Sequence, residues 1–107
     1  MERGTTRHRQ AFDAFASAAR AEFGDALSQL VLYGSVARGS EGDESDVDVF
    51  AVVDTPEQKR RLERLGARIG VEHGVMLVPI VKTEREYERM RDTTYAREVH
   101  QTGESHV

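Results

Sequence analysis

The chain has no cysteine, no tryptophan and only two prolines. Without cysteine there is no disulfide framework, no thiolate zinc site and no thiol nucleophile. That usage is compatible with the cytoplasm, which is the compartment we expect. Lysine is scarce too: 13 of the 15 basic residues are arginine, and only Lys59 and Lys82 are lysine. No excess of positive charge exists, because 19 acidic residues leave a formal net charge of −4. A general nucleic-acid binder needs a basic footprint, so this balance counts against one. Long apolar runs are missing as well. The longest, Val75 to Val81, is far short of the roughly 20 residues of a membrane span. The opening residues MERGTTRHRQ lack an apolar core, so no signal peptide is expected.

What is present fits one domain, 1–107, since 107 residues fall within the usual single-domain range of roughly 100–200. A chain this size can bury about two-thirds of its unfolded surface. Phe12, Phe15, Ala16, Ala19 and Phe23 follow helical spacing and predict a helix over Thr5 to Phe23, stopped by Gly24. Leu30 to Tyr33 reads as a buried strand closed by Gly34. Val47 to Val53 is β-branched and apolar, a second strand. Thr55-Pro56-Glu57-Gln58 opens a helix, with Thr as cap, Pro at the first turn and Gln closing a capping box. Val75 to Val81 is a third strand, with Pro79 pointing to an edge or a bulge. Thr83-Glu84-Arg85-Glu86 is a second capping box. Tyr95 to Gln101 predicts one or two more helical turns, and 103–107 reads as a loose tail. The order α-β-(α)-β-α-β-α predicts a small α/β or α+β domain.

The chemistry concentrates in LVLYGSVARGSEGDESDVDVFAVV, residues 30–53. Gly34-Ser35 follows a strand and precedes a region where a short helix can begin. A glycine there lets backbone approach a ligand, and free N–H groups with the Ser35 hydroxyl can hold a phosphate. Asp46 and Asp48 stand two apart at a strand entry, so both face one side of the sheet. Paired carboxylates repel unless a cation lies between them, and hard oxygen ligands suit Mg²⁺, which takes substrate phosphates as further ligands. A phosphate cradle beside such a pair is the apparatus of nucleotidyl or phosphoryl transfer. The blander readings are an ordinary tight turn at Gly34-Ser35 and a turn-capping strand entry at the two aspartates. Asp43 and Glu44 read as solvated loop acids. Tyr33 reads as core or sheet rim ahead of a nucleobase platform. Arg3, Arg7, His8 and Arg9 read as a frayed, solvated end.

Gly34-Ser35-Val36-Ala37-Arg38-Gly39, five residues, then Ser45-Asp46-Val47-Asp48 resembles the GSxARG-x5-SDxD signature of the nucleotidyltransferase superfamily. The short length resembles its minimal (MNT) branch, small prokaryotic proteins often paired with a HEPN-domain partner. The resemblance implies a polymerase beta-like fold, a small mixed β-sheet with helices packed on one face. It implies that Asp46 and Asp48 bind Mg²⁺ and that Gly34 and Ser35 hold the β- and γ-phosphates of ATP. Arg38 would either support the loop or meet a phosphate. It further implies an antitoxin of a HEPN/MNT pair that transfers AMP from ATP to a tyrosine hydroxyl of the HEPN ribonuclease toxin, in a complex of unspecified stoichiometry.

One departure stands out. The family's site usually has a third carboxylate from a neighbouring strand, and Val75 to Val81 contains none. By register, Val78 or Met76 occupies that place, and Glu72 and Glu84 are the nearest acids. This opens an alternative, an antitoxin with the same fold that neutralises its partner by binding alone. A nucleic-acid-binding regulator using the Arg-rich N-terminus is a third, weaker option.

Overall fold

The computed structural model describes residues 7–34 and 46–106. Helix α1 (Arg7–Phe23) is amphipathic by the spacing above, and its Ala11, Phe12, Phe15, Ala16, Ala19 and Phe23 are buried. A single 3-10 turn, Gly24–Ala26, leads into strand β1 (Gln29–Tyr33). Strand β2 (Val47–Val53) follows, then helix α2 (Pro56–His73) and strand β3 (Leu77–Thr83). Helices α3 (Glu84–Met90) and α4 (Thr94–Thr102) and the short strand β4 (Glu104–Ser105) complete the described chain. None of the described helices is long and apolar enough to cross a membrane.

Both expected capping boxes form. The Gln58 amide N–H donates to the Thr55 hydroxyl at 3.2 Å, and the Thr55 N–H donates back to the Gln58 side chain at 3.0 Å. Thr83 and Glu86 repeat the exchange at 3.1 and 2.9 Å. Each satisfies two of the otherwise orphaned donors of a helix start. Gly74, at φ 68°, closes α2.

The sheet order is β3-β2-β1-β4. β1 runs antiparallel to β2 and β3 runs parallel to it, so the sheet is mixed. Pro79 is tolerated because β3 lies at an edge, where a missing N–H breaks no ladder on the outer side. Every residue of β2 except Asp48 is buried. Val47, Val49, Ala51 and Val53 pack with Phe12 and Phe15 of α1 and Leu62, Leu65 and Ile69 of α2. Fully burying one such Phe or Leu contributes about 1.5–3 kcal/mol.

The mixed α/β class stands, but helices cover both faces of the sheet rather than the one expected. Phe50 and Val52 pack on the second face with Val31 and with Val99 of α4. The rings of Tyr87, Tyr95 and His100 lie 6.0, 6.2 and 6.1 Å from Phe50. The reason is in β2 itself: beyond Asp48 it has no polar alternation, so both of its sides need apolar cover.

Two smaller expectations are corrected. Residues 104–106 are not a loose tail. β4 pairs antiparallel with β1, Leu32 opposite Glu104. The His106 N–H donates to the Leu30 carbonyl at 2.7 Å, and its ring lies edge-on to Phe12, 4.8 Å between centroids. The open edge of β1 supplies unpaired backbone groups, and these residues satisfy them. His8 and Arg9 are not frayed either. His8 is buried, and Arg9 pairs with Glu104. Burial pushes the Glu104 carboxyl up, but its bonds with His106 and Arg9 outweigh this and hold it below the usual carboxylate range.

Candidate active site

Strand order places the two ends of the predicted motif side by side. In the β1–β2 register Tyr33 sits opposite Asp48, so Gly34 leaves β1 next to the entry of β2. Gly34 has φ 82°, a left-handed conformation that suits only glycine well. A Cβ there would run into the Asp48 carboxylate. The dihedral and the nearby Asp48 carboxylate both favour glycine at this point.

Asp46 is exposed and Asp48 half-buried. Backbone pins their position: the Val47 N–H donates to the Met76 carbonyl at 2.8 Å, tying the entry of β2 to the start of β3. Asp48 shares its side of the sheet with Phe50, the side covered by α3 and α4. Ser35 and Arg38 lie outside the described residues, as do Asp43 and Glu44. Of the motif, then, the structure brings Gly34, Asp46 and Asp48 to one end of the sheet.

The donor set suits a hard divalent cation. Two carboxylates two residues apart at the entry of β2, Asp48 in the strand against Gly34 and Asp46 just before it, could offer oxygen ligands while the rest of an octahedron stays open to water or phosphate. Among the described residues no group of three or more His, Asp or Glu could hold a metal ion.

In the β2–β3 register Asp48 sits opposite Val78. Of the two residues expected at that place, the strand sets Val78 beside Asp48. Glu84 begins α3, beyond the far end of β3, roughly 20 Å along the strand from Val78 at 3.3 Å per residue. Glu72 lies in the last turn of α2, which covers the opposite face from Asp48. Neither acid stands at the Asp48 side of the strand entry.

Sequence reasoning missed the contribution of α4. A cavity of about 210 Å³ beside Gly34 is lined by Tyr33 together with Tyr95, Glu98, Val99 and Thr102 of α4. The Tyr33 and Tyr95 hydroxyls are 2.8 Å apart. Burial, then the bond with Tyr95, then the nearby Asp48 charge push the Tyr33 phenol well above its ordinary value, so it keeps its proton. The spacing 95, 98, 99, 102 marks one helical face. Nothing in it says which end of the sheet that face covers.

A family profile described as "Nucleotidyltransferase domain" matches residues 13–100. A protein of Methanocaldococcus jannaschii, named a protein adenylyltransferase, is 30% identical over 82 residues, covering 74% of this chain and 78% of that one. Among solved structures, a toxin–antitoxin crystallised with AMP-PNP superposes with a TM-score of 0.60 at 14% identity, over 87% of this chain and 70% of the other. A mutant of the MntA–HpeT toxin–antitoxin does so with a TM-score of 0.57 at 12% identity, over 83% and 67%. At these identities the two structures speak for the fold.

Proposed function

Because the chain belongs to the nucleotidyltransferase domain family, we propose that it is the antitoxin of a toxin–antitoxin pair and transfers AMP from ATP to a tyrosine hydroxyl of a HEPN ribonuclease toxin. The observation that carries this reading is the position of Asp48 at the β2 entry, against Gly34, with Asp46 immediately before the strand. In this reading Asp46 and Asp48 hold Mg²⁺, and Gly34 and Ser35 take the β- and γ-phosphates. Arg38 supports the loop or meets a phosphate. When bound, Mg²⁺ neutralises the triphosphate and steadies the departing pyrophosphate. Gly34 leaves backbone room for the phosphates. Asp46 and Asp48, through the cation they would hold, would fix the reacting end of the nucleotide at the strand entry, where the acceptor hydroxyl gives up its proton to water, its oxygen bonds to the α-phosphorus and the bond to the leaving pyrophosphate breaks. Tyr33 stays protonated and neutral beside Asp48, so it adds no further negative charge there.

The test is the intact mass of the protein encoded beside this one, after co-expression with this chain or with its Asp46→Asn/Asp48→Asn double variant. A gain of whole AMP units with the wild type alone supports the reading. Equal gain with the double variant sinks it.

A second reading is favoured by one observation, the apolar Val78 beside Asp48. The chain would then neutralise its partner by covering it, without transfer. Co-elution with an unmodified partner, and neutralisation that survives the double variant, would select this one.

A further inference from the structure

At the opposite end of the parallel pair, where β2 and β3 run out into α2 and α3, lies a cavity of about 340 Å³. It is lined by Pro56, Lys59, Arg60, Thr83, Arg85, Glu86 and Arg89. The seven-residue length of β2 separates it from the Asp46–Asp48 entry by roughly 20 Å. No described residue of the nucleotidyltransferase motif lines it.

Its charge is unbalanced. Among the described residues, four cationic side chains face one carboxylate there, in a chain whose net charge is −4. The single carboxylate is already engaged. Lys59 Nζ lies 3.2 and 3.3 Å from the two Glu86 oxygens. The Thr83 backbone N–H, then the Lys59 bond, hold Glu86 below the usual carboxylate range, and the charges of Lys59 and Lys82 add to this. Lys59 is thereby neutralised. Arg60, Arg85 and Arg89 pair with no carboxylate among the described residues. Arg85 and Arg89 stand four apart on α3, where like charges oppose helix formation. Arg60 brings a third guanidinium from a different helix.

Guanidinium groups present planar donor forks that match phosphate oxygens two at a time, and they lose no charge at any working pH. Three guanidinium charges exceed the charge of about −2 that a single phosphate group carries near pH 7. No aromatic side chain lines the cavity, so nothing there would stack a nucleobase. We propose that Arg60, Arg85 and Arg89 form a second anion site that takes a diphosphate group, either inorganic pyrophosphate or the polyphosphate tail of a nucleotide. The carboxyl edge of neighbouring parallel strands is a common place for ligands in open α/β sheets.

The experiment is calorimetric titration of the full chain, alone, with inorganic pyrophosphate in Mg²⁺-free buffer containing a chelator. One equivalent should bind, and the affinity should fall as salt rises from about 50 to 200 mM. The Arg85→Gln/Arg89→Gln pair and, separately, Arg60→Gln should each weaken binding about tenfold or more while leaving the circular dichroism spectrum unchanged. The Asp46→Asn/Asp48→Asn variant should bind as the wild type does. Titrations with ATP and AMP separate the two sources: equal Arg-dependent affinity for ATP identifies a nucleotide tail, and preference for pyrophosphate over ATP identifies the free anion. Absence of binding overturns the proposal, as does binding that all three arginine substitutions leave intact. Because no partner, metal or transfer enters this measurement, its failure leaves the adenylylation reading untouched.

Discussion

Gly34 and Asp48 approach so closely that a single added methyl group on Gly34 would overlap the Asp48 carboxylate. The contact joins the end of β1 to the start of β2.

Gly34→Ala should therefore damage activity and stability together. The left-handed conformation alone costs a non-glycine residue about 1–3 kcal/mol. The collision would also displace Asp48. The expected outcome is a lowered Tm and, under the transferase reading, loss of adenylyl transfer. Full transfer by a Gly34→Ala protein would mean that Asp48 does not need its present position.

Val78→Asp restores a carboxylate at the register position opposite Asp48. Val78 is half-buried, so an aspartate there keeps access to water. Under the transferase reading the substitution should lower the Mg²⁺ concentration that gives half-maximal transfer. An unchanged Mg²⁺ dependence would show that this position does not serve the cation.

Tyr33 predicts an alkaline limit to stability. Its folded phenol is raised above the ordinary value of 10.0, by burial first, then by Tyr95 and Asp48. Above about pH 10 the unfolded chain loses that proton while the folded chain keeps it, so unfolding releases a proton and stability falls as pH rises. Below pH 10 the stabilising difference is fully present. Thermal melts across pH 8 to 11 (an interval of about three units around the phenol range) should show a fall that Tyr33→Phe reduces. The same substitution removes the 2.8 Å bond to Tyr95, at a cost of about 0.5–1.5 kcal/mol.

The Arg9–Glu104–His106 clasp predicts an acid limit of opposite sign. Glu104 is held below its ordinary value of 4.5, because the bonds with His106 and Arg9 outweigh burial. Its contribution is present above about pH 4.5 and is lost as pH falls through the lower folded value. Glu104→Gln should flatten that part of the stability profile. Removing residues 104–107 should do more, since it uncovers the β1 edge that β4 now pairs. Self-association of the truncated chain, read by light scattering, is the expected outcome.

Gly103 explains why this edge closes so tightly. A Cβ there would meet the Val31 side chain and the Val99 carbonyl, and its own N–H donates to Val99 at 2.8 Å. In the sequence, Gly103 to Val107 looks like any polar terminus.

Local chemistry was legible from the residues alone. Caps are set by contacts three residues apart, so Thr55–Gln58 and Thr83–Glu86 could be read directly, as could the stripe from Phe12 to Phe23. The sequence likewise put Gly34 at the end of β1 and Asp48 at the start of β2, because a glycine stop and a β-branched apolar run are local properties. The cover on the second face of the sheet was not legible. Val47 to Val53 shows that both sides are apolar, but which helix fills the second side depends on contacts between Phe50 and residues 37 to 50 positions away. The pairing of Glu104 with Leu32, the Tyr33–Tyr95 bond and the union of Arg60 with Arg85 and Arg89 are likewise products of chain path. Periodicity fixes which side of an element is buried. Only the assembled tertiary structure decides what lies against it, because that choice is made by packing between segments with no sequence relation to one another.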